Sequence, residues 1–325
     1  MTPCVTLAGW SGRGALQPGE GIADAVSGAV RDALAMAGRA LDDIDMVVTC
    51  ASDLIDGAMV ATRSAIAGSY RRELMTVPSS AGHAFAAAAT QIESGAARAV
   101  LLAGWGEGSK PAARDARIFA ADPFYARPLG ADAAALAALQ AQRLVAEGRL
   151  DRAEMCAYRD TMAARGKRDG GDRPLRWLRP QWTDGAAALV LTAAKGGVTL
   201  RDLASAFEPY CPPPDRLDPA LWIAATGIAI PPLAALEIGA PTPFAEAVAA
   251  GALLRRQGWA ADDPRFNHSG GGAVSHFGPA TGLLRIVAVA DRLAPAAVGA
   301  VGAAIDLAGP IGQAATVILL ERGRA

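Results

Sequence analysis

One stretch concentrates residue types that do chemistry: Asn267-His268-Ser269-Gly270-Gly271-Gly272-Ala273-Val274-Ser275-His276-Phe277-Gly278-Pro279-Ala280-Thr281-Gly282. It holds two histidines, two serines and five glycines in sixteen residues. Glycine at that density lets backbone pass close to a ligand or a reacting group. A histidine held there is placed to move protons near neutral pH. Alone, the stretch reads equally well as a glycine-rich turn with incidental histidines. What weighs against that reading is a second small-residue stretch, Ser79 to Gly95, where serines lead an alanine-rich run that ends at glycine. That is capping chemistry at both ends of a helix. With so little side-chain bulk the helix can lie almost backbone to backbone against its neighbours, which places it at the centre of a fold.

The elements that position these stretches follow from periodicity. Val5 to Ala8 reads as a strand, and Ile22 to Gly38 as a helix with apolar residues at Ile22, Val26, Ala29, Val30, Ala33 and Leu34 and a glycine stop. Strands follow at Asp45–Cys50, Leu74–Val77 and Ala99–Gly104, with a helix at Ala58–Tyr70 between the first two. From Ser109 to Pro174 arginine increases and two amphipathic helices appear, Asp132–Glu147 and Asp151–Arg165. This reads as an insertion lying over the first half, followed by a polar connector, Arg165 to Pro174. Asp184 to Thr192 opens a second unit, with helices at Leu221–Ala229, Phe244–Gln257 and Ala280–Leu293 and strands at Ala234–Ile238, Val298–Ile305 and Ala315–Glu321. Alternating strands and helices predict an α/β layer fold. The repeated order predicts two duplicated halves, residues 1–110 and 175–325, around an inserted segment, 111–174.

Composition removes several function classes. At 325 residues the chain buries a large core, and 31 Lys plus Arg against 32 Asp plus Glu argue against nucleic-acid binding. The most apolar tail, Ala296 to Leu320, carries Asp306 and Pro310 and fails as a membrane span. No basic-then-apolar signal opens the chain. Cys4, Cys50, Cys156 and Cys211 are far apart, so neither a zinc site nor a disulfide framework follows. A cytoplasmic protein with reduced thiols is the expectation.

Six motifs in order resemble the thiolase superfamily, specifically its sterol-carrier or lipid-transfer branch. They are Asp43-Ile44-Asp45 before the strand ending at Cys50; Ser79-Ser80-Ala81-Gly82 where the family has its Cys-Ala-Ser-Gly nucleophile turn; and Val100 to Glu107. The others are Asp122 to Pro128, resembling a loop-domain signature; Thr183-Asp184-Gly185-Ala186-Ala187-Ala188; and Asn267 to Gly282, with His276 on the family's catalytic histidine. The resemblance covers nearly the whole chain. It implies a five-layered αβαβα fold, an oligomer, and acyl-thioester substrates of coenzyme A or a carrier protein, with no other cofactor and no metal.

Departures from the family pattern set the expected chemistry. The nucleophile position is Ser79, and a serine hydroxyl needs a base to take its proton. A helix N-terminus contributes only ~0.3–2 kcal/mol to an anion, too little to ionise an alcohol. Two histidines can serve: His276, placed by the motif, and His83, four residues on from Ser79 on the same helical face. A helix-capping role for Ser79 and a packing role for His83 are the plain alternatives. The family's Asn or His before "AF" is absent from Glu237 to Phe244, and Leu307 to Gln313 lacks the second cysteine. Backbone amides of Ser79 and of a glycine, Gly309 or Gly312, remain as an oxyanion hole. Asn267, His268 and Gly271 are candidate substrate contacts.

Carbon–carbon bond formation by the usual route is thereby disfavoured, while acyl transfer keeps its parts: Ser79, His276 and backbone amides. Two alternatives stand beside an acyltransferase. One is a catalytically degenerate subunit supporting an active thiolase-like partner. The other is a retro-aldol lyase on a β-hydroxyacyl-CoA, working with a small zinc-ribbon/OB-fold partner, as in some cysteine-less relatives. The protein is expected to be a homodimer or a heteromer of one of these kinds.

Overall fold

The computed structural model describes residues 4–51, 63–110, 115, 118–119, 121, 123–124, 126–167, 176–194, 196–207, 218–309 and 311–324. Cys211, the first residues of the expected Ala58–Tyr70 helix, Asp122 and Tyr125 of the loop signature and most of the Arg165–Pro174 connector lie outside them.

Among the described residues nine strands form one sheet: β1 (Thr6–Arg13), β2 (Met46–Cys50), β3 (Glu73–Thr76), β4 (Ala99–Glu107), β5 (Asp184–Thr192), β6 (Val198–Phe207), β7 (Ala235–Gly239), β8 (Val301–Ala308) and β9 (Ala314–Arg322). Their order is β3-β2-β4-β5-β1-β6-β9-β8-β7. Helices are α1 (Ile22–Met36), α2 (Ala81–Glu93), α3 (Ala133–Ala146), α4 (Arg152–Arg165), α5 (Pro219–Ala225), α6 (Pro243–Gln257) and α7 (Gly282–Leu293). A two-residue antiparallel join, Thr6 with Thr199 and Leu7 with Val198, links the strands of the two halves.

Alternation along the strands sorts side chains into three cores, which define five layers. In β2, Val47 faces α1 with Leu101, Trp105 and Val190, forming the first core. The opposite faces, with Val48, Cys50, Leu102 and Leu189, meet α2 and α7 together with Ile318 and Leu320 of β9. The third core sets Ile238, Ile305 and Val317 against α5 and α6. The layers therefore run helix, sheet, paired central helices, sheet, helix, which is the expected αβαβα fold. Strands buried on both faces are apolar almost throughout, as in β4 up to Glu107 and β8 apart from Asp306.

Small residues let the central layer close. A Cβ at Gly104 would lie 2.6 Å from Leu283 Cδ1 and 2.8 Å from Ala280 Cβ, and one at Gly106 would overlap the Phe277 carbonyl oxygen. The two glycines of β4 thus admit the turn from His276 into α7.

Several expectations needed correction. Asp184 to Thr192 does not open the second half: β5 lies antiparallel between β4 and β1, beside the first-half strands. The inserted helices do not cover the first half; Ala137, Ala141, Leu144, Tyr158 and Met162 pack with Phe244 and Leu253 on the outer face of the second. The strand β6, at Val198–Phe207, is additional. Its side chains are mostly half-buried, so it shows neither a continuous apolar run nor a clean alternation. The strand of the second half that matches β3 is reduced to one parallel bridge, Leu236 with Phe266. The α7 helix starts at Gly282 because Pro279–Thr281 form a 3-10 turn first.

Candidate active site

The N-terminus of α2 carries the reactive pair. Ser80, extended at φ −167°, is the N-cap, and its hydroxyl accepts from His83 N at 3.2 Å. The capping role considered for Ser79 thus belongs to its neighbour, and the Ser79 hydroxyl is left for other work. Helical geometry brings His83 over the preceding turn, and its Nδ1 lies 2.9 Å from Ser79 Oγ. Ser79 is exposed and His83 half-buried. The far side of the imidazole meets the Phe207 ring at 5.0 Å between centroids. His83 Nε2 is buried and has no hydrogen-bond partner among the described residues. Burial holds its pKa below the ordinary imidazole value.

Beneath this pair sits Asp306 of β8, whose side chain points at the central layer. Gly82 N donates to Asp306 Oδ2 at 2.7 Å, and the neighbouring Ser80 hydroxyl also favours the ionised carboxylate. A Cβ on Gly282 would come within 2.5 Å of Oδ1, so the carboxylate stands where the N-termini of α2 and α7 meet. Burial pushes its pKa up to about 6 against the pull of these donors and of Arg285. Cys50 lies close by; burial first and Asp306 second push its thiol far up, which leaves it unreactive.

His276 occupies a different setting. Its N donates to Gln181 O and its O accepts from Thr183 N, both at 2.9 Å. Its ring stands edge-on to Trp182 at 4.6 Å, and the residue is 8% exposed. The turn is further held by the Ser275 hydroxyl, which donates to Gly14 O at 2.6 Å. The imidazole hydrogen-bonded to Ser79 is that of His83, where His276 had been expected.

Other expected site residues belong to a buried polar network. Asn267 has no exposed surface; its Oδ1 accepts from Ile238 N at 2.6 Å and its Nδ2 donates to Tyr158 OH and Glu246 Oε1. Its amide is engaged by these buried partners. Glu246 also accepts from Tyr158 OH at 2.8 Å and from Gly272 N at 2.9 Å. Burial raises its pKa to about 7. Gly271, at φ +56°, faces that carboxylate so closely that a Cβ would overlap it, so glycine is needed there for packing. Glu237 takes Ser269 N and Oγ, and Arg285 bonds Ser269 Oγ and Ser275 O.

His268 is exposed, with its pKa lowered by partial burial and by Arg292 and Arg165. Gly312, at φ +69°, gives its N–H to Gly309 O at 3.0 Å, so that amide is not open to an oxyanion. Gly309 is exposed at φ +85°.

Asp306, Glu246, Glu237 and Arg285 were not anticipated as site residues. For Asp306 the signal was present: it is the lone charge in the apolar run from Val298 to Ala308. Among the described residues, no three His, Cys, Asp or Glu side chains converge as a metal site. No helix among them is long and apolar enough to cross a membrane.

The sequence matches no protein-family model and no curated protein. The fold does match solved structures. Acat5 thiolase from Ascaris suum, solved in complex with coenzyme A, aligns with 98% of this chain and 100% of its own at a TM-score of 0.71 and 15% identity. Acetyl-CoA acetyltransferase from Syntrophomonas wolfei aligns with 99% of this chain and 100% of its own at a TM-score of 0.74 and 17% identity. The chain therefore has the thiolase fold, over nearly its full length.

Proposed function

We propose that the protein is a thiolase-like acyltransferase that takes acyl groups from coenzyme A or carrier-bound thioesters onto Ser79. The observation carrying this reading is the 2.9 Å contact of Ser79 Oγ with His83 Nδ1 at the mouth of the central helix. That helix mouth carries the nucleophile position of the resembled family, in a fold shared with a coenzyme A-bound thiolase.

His83 is the base in this reading, in place of His276. Its neutral form is ready near pH 7, because burial disfavours the imidazolium. As Ser79 Oγ attacks the thioester carbonyl, a C–O bond forms and the C–S bond breaks. The serine proton passes to His83 Nδ1 and then to the departing sulfur. An acceptor nucleophile reverses these steps. We assign the oxyanion to backbone amides of Ser79 and Gly309, since the Gly312 amide is bonded elsewhere. His276, packed on Trp182, shapes the wall of the site.

Release of coenzyme A from acetyl-CoA tests this reading. Release by the wild type that disappears in Ser79→Ala supports it; equal release by the two proteins defeats it.

One observation favours a second reading, a degenerate subunit that supports an active thiolase-like partner. Among the described residues His83 Nε2 has no acceptor behind it, so none of them steadies the imidazolium as a carboxylate does in a serine triad. Turnover by a complex with a cysteine-bearing thiolase, unaffected by Ser79→Ala, supports this reading over the first.

A further inference from the structure

We propose that Asp306 is a positioning residue that reaches across from the second half of the molecule and fixes the Ser79–His83 pair. The proposal rests on the reading of that pair as reactive. Three observations carry it. Asp306 is 9% exposed and faces the central layer from β8, where Ala304, two residues earlier, belongs to the central core. Its carboxylate accepts Gly82 N at 2.7 Å, beside the Ser80 hydroxyl, which favours its ionised form. Ser80 in turn accepts His83 N, so Asp306 holds the first turn of α2 at Gly82, within the span that the Ser80 cap closes.

The consequence is geometric. A carboxylate that takes the Gly82 amide ties down the first turn of α2, which the Ser80 hydroxyl closes on the His83 amide. This sets where α2 begins, and with it the four-residue offset that brings Nδ1 to Ser79 Oγ. A residue one turn away on the helix cannot drift without losing that contact. The carboxylate also lies on the positive end of α2, which favours its ionised form.

Groups facing Asp306 come from each neighbouring element. They are Ser80 and Gly82 of α2, Arg285 of α7, Cys50 of β2, Thr316 of β9 and Gly239 of β7. Arg285 is the cation among them, and Cys50 stays protonated. Because burial lifts the Asp306 pKa to about 6, the strut is ionised above that pH and neutral below it.

The test uses a fluorophosphonate, which labels a reactive serine without any thioester, with intact mass as the readout across pH 5–9. Alongside it, amide hydrogen exchange along α2 reports whether the helix start holds. For Asp306→Ala, labelling of Ser79 is expected to fall about tenfold or more, since a shift near 1 Å at a reacting pair is that costly. Exchange at Gly82 and His83 rises in that variant while Ala88 and Ala89 stay protected. Asp306→Asn, whose amide oxygen still accepts Gly82 N–H, restores part of the labelling and loses the pH step near 6.

Wild-type labelling rates in both variants overturn the proposal. So does a loss of labelling that only tracks loss of protection along the whole helix, and so does a wild type that is not labelled. Labelling that follows the expected pattern, without coenzyme A release from acetyl-CoA, overturns the acyltransferase reading and leaves the Asp306 assignment standing.

Discussion

Ser79 and His83 form a dyad whose strength is limited by what stands behind the imidazole. To take the serine proton, Nδ1 must be bare, so the neutral ring carries its hydrogen on Nε2. That N–H is buried with no acceptor among the described residues, in a ring that packs beside Phe207. An unmet donor of this kind costs about 1–3 kcal/mol in the neutral ring and the imidazolium alike, and desolvation of the imidazolium keeps the ring's basicity low. Two outcomes follow for catalysis. Acylation should stay level above about pH 6.5 and fall as acid protonates His83, with the midpoint below the ordinary imidazole value of about 6.5. Replacing His83 by Gln should slow acylation about 100-fold or more, in the range for a lost general base. His276→Gln should leave the acid limb where it was, and rate profiles of the two variants distinguish the histidines. At this scale the sequence showed which residues to consider but not which histidine bonds to Ser79. The four-residue spacing from Ser79 to His83 was visible, yet the side chain of His276 is committed to Trp182 by contacts no motif contains.

The elements succeed or fail as carriers of the site through close backbone approach. Gly106 of β4 has no room for a Cβ, because the Phe277 carbonyl fills that space. Gly106→Ala should therefore push the His276 turn away and cost about 3 kcal/mol or more, at the upper end for overpacking. By contrast Gly251 sits inside α6, and the nearest atom to a Cβ there is the mobile end of Arg255, 3.5 Å away. Gly251→Ala should leave stability unchanged or raise it by about 0.5–1 kcal/mol. Denaturant midpoints of the two variants check both statements. Most strands and helices were legible from periodicity because their burial is one-sided or complete. The exceptions have physical causes. The strand at Val198–Phe207 is half-buried throughout, and the insertion's amphipathic faces say that they pack without saying on what. Ser80 rather than Ser79 caps α2, a one-residue difference at a first turn that Asp306 of a distant strand holds through Gly82.

Across the whole molecule, burial of carboxylates should govern the pH dependence of stability. Asp306 and Glu246 have folded pKa values of about 6 and about 7, above the ordinary carboxylate range. Between that range and those values the folded state holds more protons than the unfolded one, so stability falls as pH rises. His83 and His268, with lowered values, act in the opposite sense, but both are more exposed to water. Tm should accordingly be higher at pH 5 than at pH 8, and Asp306→Asn should flatten part of that slope. A Tm that climbs steadily over this range contradicts the assignment. The duplicated αβαβα plan itself was legible from the order of elements and motifs, because layer folds are specified by long apolar periodicities. The boundary at Asp184 was not, since a strand's partner cannot be read from its own residues. The most direct measurement is intact-mass analysis with peptide mapping after mixing the protein with acetyl-CoA. One acetyl group on Ser79, formed above pH 6.5, absent in Ser79→Ala and sharply slowed in His83→Gln, is the expected result. An unmodified protein, or acetylation that survives both substitutions, contradicts it.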